Sequence, residues 1–219
     1  MKKNYKSTVN ACFAGYVVQA IVNNFVPLLF LTFNKSYGIE LSKITALITV
    51  NFILQLCIDF LSAFFIDKIG YRAAAIMAHV FAAAGLVSLT VLPDVLPSPF
   101  VGLLISVVLY AVGGGLLEVI VSPIVEACPT DNKEKMMSLL HSFYCWGSVA
   151  VVGISTLYFS IFTTANWKYL ALIWAVVPIV NALNFIRVPI APLIEEGETG
   201  LSFKQLIGSR MFWIFMLLI

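Results

Sequence analysis

Six apolar runs, each close to or above the roughly 20 residues that an α-helix needs to cross a bilayer, constrain this chain more than any other feature. They cover residues 9–33, 44–66, 73–92, 100–128, 136–162 and 169–186. A seventh begins at Met211 and has reached only Ile219, the last residue, so the chain reads as cut inside a helix. Hydrophobic residues make up 61% of the sequence and charged residues 11%. A soluble domain carries about 25% charged residues, so this chain cannot cover a water-facing surface and lipid is its main solvent. With a formal charge of only +2 and no basic cluster interleaved with aromatics, nucleic acid is not an expected partner.

The connectors are polar or proline-bearing: residues 34–43, 67–72, 93–99, 129–135, 163–168 and 187–210. Only the last is long. It holds Pro189, Pro192, Glu195, Glu196 and Glu198, with a short surface helix expected near residues 203–207. The chain therefore divides into a transmembrane bundle (1–187), a cytoplasmic linker (188–210) and the start of a further span (211–219). With the N-terminus in the cytoplasm, Lys2, Lys3, Lys6, Lys68, Arg72, Lys133, Lys135, Arg187, Lys204 and Arg210 lie inside. Only Lys35, Lys43 and Lys168 then lie outside, as the positive-inside rule requires. The basic N-terminus is followed by a run long enough to span and without a small-residue cleavage site, so it reads as a retained helix. Cys12, Cys57, Cys128 and Cys145 include no C-x-x-C pair and read as reduced packing residues.

The loop after the second run reads Asp67-Lys68-Ile69-Gly70-Tyr71-Arg72. Gly70 permits a tight reversal. Asp67 is placed to end one helix and cap the next, and Lys68 and Arg72 hold the loop inside. This loop resembles the helix 2–3 signature of the major facilitator superfamily, G-x-x-x-D-[RK]-x-G-[RK]-[RK], with Ala63 for the leading Gly and Tyr71 for the first basic residue after the second Gly. The resemblance implies an all-α integral membrane fold, here the N-terminal six-helix bundle of a 3+3 repeat truncated in helix 7. It also implies a conformational latch at Asp67, Lys68, Gly70 and Arg72. A plain topology-setting turn is the alternative. A second match is narrower. Gly113-Gly114-Gly115, Glu118 and Ser122-Pro123 in the fourth run, with Asn23-Asn24 in the first, are similar to the fucose permease branch. That branch has an acidic residue where this chain has Pro27. The resemblance implies a secondary active transporter of a small polar solute, sugars favoured, working by alternating access and making no chemical change to its solute. Drug/proton antiporters of the superfamily usually carry an Arg in helix 4 and a Gly-Pro in helix 5, and neither is present. Efflux of amphipathic compounds and a non-transporting scaffold or sensor stand as alternatives.

Ionisable groups in hydrocarbon cost about 2.5–3.5 kcal/mol or more and usually face a cavity or a partner. Glu118 lies about ten residues from the inner end of its run, about 15 Å at 1.5 Å per residue, which puts it near the midplane. It is the expected proton carrier or solute acceptor, or else a helix–helix hydrogen bond. Glu126, near the water interface, carries no such expectation. Asp59 continues a stripe with Asn51 and Gln55 at i, i+4 and i+8, which either lines the pathway or ties the second helix to its neighbours. Gln19 and Asn23 share one face of the first helix beside Asn24, and Pro27 breaks that helix's hydrogen-bond ladder. His141 could relay a proton, Tyr144 could contact solute, and Trp146 could stack on a sugar ring or simply pack. Ser122 follows Glu118 on nearly the same face, and Asn181 and Asn184 are weaker candidates. No cofactor, nucleophile–base pair, Walker run or metal-ligand spacing is found in the sequence. The expected partners are a small solute, H+, the bilayer of the cell (inner) membrane and a second bundle of the same chain.

Overall fold

In the computed structural model, which describes residues 5–193 and 203–218, regular structure among the described residues is entirely helical. Six helical stretches are long and apolar enough to cross a membrane. The first is broken. Helix α1 (Lys6–Asn24) gives way to a 3₁₀ turn at Val26–Leu29, and α2 (Phe30–Tyr37) completes the crossing. Pro27 sits in that turn, where its missing N–H cannot continue the i→i−4 ladder. The remaining crossings are α3 (Leu41–Ile69), α4 (Tyr71–Val95), α5 (Pro99–Ala127), α6 (Lys133–Phe162) and α7 (Trp167–Arg187). Two short helices follow, α8 (Phe203–Gly208) where a surface helix was expected, and α9 (Arg210–Leu218). Lys2, Lys3, Glu195, Glu196 and Glu198 lie outside the described residues.

The helices mostly overrun the apolar runs, by up to four residues at the C-terminal end of the first crossing. Hydrogen bonding explains the overrun, because each backbone group at the membrane edge is satisfied most simply by extending the helix. The ends fall where local chemistry stops them. Gly38 closes α2 at φ +64° and Gly70 closes α3 at φ +82°, conformations that favour glycine. Asn132 caps α6 by accepting from the backbone N–H of Lys135 at 2.8 Å. One expectation is corrected: Asp67 neither ends α3, which continues to Ile69, nor caps α4, whose N-cap is Gly70 with no side-chain hydrogen bond.

Helix α5 is central, packed against α4, α3 and α1, while α6 lies on α1 and α7 on α4. Glycine makes the α4–α5 approach possible. A methyl at Gly85 would meet the Tyr110 backbone N at 2.5 Å, and one at Gly113 would meet Ala78 O and Ala82 N, each at 2.6 Å. Gly115 brings α5 against α3 at Gln55 and Ile58. Small residues at helix contacts are how membrane helices gain van der Waals packing where lipid supplies no hydrophobic drive.

Both ends of the bundle are tied. At one end Arg72 donates to the last carbonyls of α7, Phe185 O at 2.6 Å and Ile186 O at 2.9 Å, and to Val188 O at 2.8 Å just beyond. Thr8 hydrogen-bonds Pro189 O at the same end. At the other end Asp94 accepts from Tyr37 at 2.8 Å and pairs with Lys168. Between them, Asn181 donates to Ala11 O at 2.9 Å and to His79 Nε2 at 2.7 Å, while His79 Nδ1 donates to Ala75 O. These bonds fix a neutral imidazole and make Asn181 a bridge between α7, α1 and α4.

Candidate functional site

A cavity of about 370 Å³ lies between α1, α3, α5 and α6, lined by Tyr16, Gln19, Asn23, Phe52, Gln55, Leu56, Asp59, Glu118, His141 and Tyr144. That volume falls in the range of small-molecule sites. Helices α4 and α7 contribute none of the lining and instead back the bundle.

Each wall follows from helix geometry. Tyr16, Gln19 and Asn23 are spaced i, i+3 and i+7, one stripe of α1. Phe52, Gln55, Leu56 and Asp59 form the corresponding stripe of α3. Glu118 enters from α5 three residues after Gly115, whose close contact with Gln55 sets the spacing of the two walls. His141 and Tyr144 stand one turn apart on α6.

Asn23 is the hub. Its Oδ1 accepts from Gln55 Nε2 at 2.8 Å and Asn51 Nδ2 at 3.2 Å, and its Nδ2 donates to Tyr144 OH at 3.4 Å. Gln55 also donates to Asn51 Oδ1 at 3.0 Å. One amide of α1 thus joins α3 to α6. Gln19 Nε2 donates to Glu118 Oε2 at 3.1 Å. Glu118 is exposed on the cavity face and Asp59 is half-buried. Asp59 Oδ1 is the one buried side-chain polar atom among the described residues without a hydrogen-bond partner. The two carboxylates line the same cavity.

The sequence candidates divide. Gln19, Asn23, Gln55, Asp59, Glu118, His141 and Tyr144 meet at the cavity. Asn51 is buried behind it, within the Asn23 network. Asn24 turns to Ser148 Oγ at 3.1 Å, and Ser122 pairs with Tyr16 OH at 2.9 Å, so neither lines the space. Trp146 is the fourteenth residue of α6, is exposed, packs beside Phe143 and stands outside the lining. Asp67, Gly70 and Arg72 gather at a separate shallow pocket with residues 190–193. Lys68 is exposed beside them and lines no described pocket. No group of three or more potential metal ligands occurs among the described residues. Of the cysteines, Cys12 and Cys128 are buried, whereas Cys57 and Cys145 are exposed on the helix faces.

Sequence reasoning missed Tyr16, Phe52 and Leu56 at the cavity and His79 in the core. Tyr16 was in reach, being one turn before Gln19 on the same face. For the apolar two there was no signal, because an apolar residue on a spanning helix looks the same whether it meets lipid, protein or solute.

The sequence model of the family described as Major Facilitator Superfamily matches residues 11–219. No curated protein matches significantly. Among solved structures, the inward-open xylose transporter XylE from E. coli superposes with a TM-score of 0.76 at 14% identity, covering 86% of this chain and 49% of that one. A D-xylose-proton symporter superposes at 0.71 with 16% identity, covering 85% and 48%. The proton:xylose symporter XylE bound to 6-bromo-6-deoxy-D-glucose gives 0.71 at 13% identity, covering 85% and 45%. This chain spans about half the length of the solved proteins it matches.

Proposed function

The chain belongs to the major facilitator superfamily, and on that premise we propose that it forms one bundle of a secondary transporter for a small polar solute, coupled to H+ and working by alternating access. The observation that carries this reading is Glu118, a carboxylate on the wall of a polar cavity inside an otherwise apolar bundle, held by Gln19. A carboxylate at that depth can take up and release a proton as the cavity changes its exposure. Sugars are the favoured solute class. Two likenesses support this: the resemblance of Asn23-Asn24, Glu118 and Ser122-Pro123 to the fucose permease branch, and the structural likeness to xylose-proton symporters. The solute leaves unchanged, since the site needs no bond-making chemistry.

The second bundle of a complete transporter closes the cavity from its open side. Asp67, Lys68, Gly70 and Arg72 act as the latch between bundles. Lysine and arginine placement favours a cytoplasmic N-terminus, and the cell (inner) membrane is the membrane we propose for it.

The test is Glu118→Gln in the protein of full natural length, reconstituted in vesicles with an imposed pH gradient. Expression persists and solute-driven proton uptake is lost. Proton uptake at the wild-type rate would remove Glu118 from the coupling role.

A further inference from the structure

The cavity has a lopsided inventory of hydrogen-bonding groups. Two carboxylates, Asp59 and Glu118, line it, and no Lys or Arg does. His141 is the one basic side chain there, so even a charged imidazole would leave one negative charge unmatched. The amides do not redress this, because they are uncharged and each already donates to a neighbour. Gln55 donates to Asn23 and Asn51, Asn23 donates to Tyr144, and Gln19 donates to Glu118. Among the described residues, the acceptors left without a side-chain partner include Gln19 Oε1, Gln55 Oε1 and Glu118 Oε1. The Asp59 carboxylate joins them, and its Oδ1 is buried with nothing to bind it. Tyr16, Phe52 and Tyr144 add aromatic surface to the same space.

An unpaired carboxylate withdrawn from water needs a counter-charge or a proton. A coupling proton neutralises one of the two and leaves the other. On the wall that this bundle supplies, the group that answers the remaining charge is a cation, rich in N–H donors and compatible with aromatic faces. We infer that the solute bears a protonated amine that this bundle binds between Asp59 and Glu118. This rests on the transport reading above and narrows it, for a sugar, to an amino sugar over its neutral parent. Asp59 is the principal anchor, since Glu118 already accepts from Gln19 while Asp59 Oδ1 has no partner.

The test uses the full-length protein in proteoliposomes and matched solutes on common scaffolds. These are D-glucosamine against D-glucose and N-acetyl-D-glucosamine, putrescine against 1,4-butanediol, and ethanolamine against ethylene glycol. Flux driven by a pH gradient and thermal shift in detergent are both read. The expected result is that the best-bound and best-transported solute is a protonated member of its set. Asp59→Asn should then weaken that amine by at least about tenfold, with the neutral counterparts unchanged, as loss of one partner of a desolvated charge pair does. Wild-type-like melting of Asp59→Asn separates lost binding from lost folding. A neutral sugar or diol carried in preference to its amine overturns this inference and leaves the transport reading standing. An Asp59→Asn variant that binds the amine as wild type also overturns it. Absence of gradient-driven flux for every member of the panel removes both readings.

Discussion

Replacing Gly113 by alanine adds one methyl at a tight point of the α4–α5 contact. That methyl would lie 2.6 Å from Ala78 O and 2.6 Å from Ala82 N, where ordinary contact begins at 3.4 Å. Both obstructing atoms are backbone, so no side-chain rotation relieves the clash and the helices must part by about 1 Å. Overpacking of this kind costs about 1–3 kcal/mol. Alanine in a helix returns about 0.5–1 kcal/mol relative to glycine. At mid-range the net loss is about 1.2 kcal/mol, a fall of about 2–5 °C in Tm for a chain of this size. Gly153→Ala is the control. Nothing lies within 4 Å of the methyl it adds, so only the helical gain remains and Tm rises by about 1–3 °C. Intrinsic tryptophan fluorescence of the detergent-solubilised protein during heating reads both. Equal melting of the two variants would refute the packing argument, because helix propensity alone treats the two sites alike.

Arg72→Ala removes the three bonds to Phe185 O, Ile186 O and Val188 O and leaves the last α7 carbonyls uncapped, for a loss of about 1.5–3 kcal/mol. Arg72→Lys restores little of it, because an ammonium cannot reach three carbonyls with a planar fork, and thermal melting of both variants checks this. Asp94→Asn, by contrast, shifts Tm by no more than the equivalent of about 1 kcal/mol despite removing the Lys168 pair, since both side chains are more than a third exposed. A larger fall would mean that the Tyr37–Asp94–Lys168 contact clamps three helices rather than decorating their ends.

Much of the frame was legible in advance because a bilayer imposes a length on apolar runs, and Gly70 announces its turn by needing positive φ. Glu118, Asp59 and Gln19 were legible for a related reason, since a polar side chain is costly in hydrocarbon and must face something. The remainder was hidden by symmetry of environment. Lipid and protein interior are equally apolar, so a spanning helix carries almost no periodic sign of which face it buries. Phe52 and Leu56 on the cavity wall therefore looked like Phe60 and Leu61, which are exposed on α3. Arg72 could be placed inside by its charge, but its partners lie 113 to 116 residues away and only the fold brings them near. The two readings of Trp146, stacking on solute or packing, could not be separated in advance because depth in a run says nothing about direction around the helix.

Burial is uneven among the helices that build the cavity, and this bears on which can respond to solute. Over their most apolar stretches the first crossing and α5 are each 61% buried, against 22% for α3 and 17% for α6. Glu118 thus rides on the most firmly packed element, locked to α4 through Gly85 and Gly113. Asp59, His141 and Tyr144 ride on the least packed ones. On the cavity side those two helices are joined through α1 by hydrogen bonds centred on Asn23. A solute that takes over one of those bonds exchanges like for like at about 1 kcal/mol, whereas shifting α5 means breaking interlocked backbone contact. Occupation of the cavity should then be felt in α3 and α6 while α5 holds still. Hydrogen exchange followed by mass spectrometry, with and without a transported solute, reads this directly. Changes confined to peptides from α3 and α6 are the expected result, and changes of equal size in α5 around Gly113–Glu118 would sink the idea.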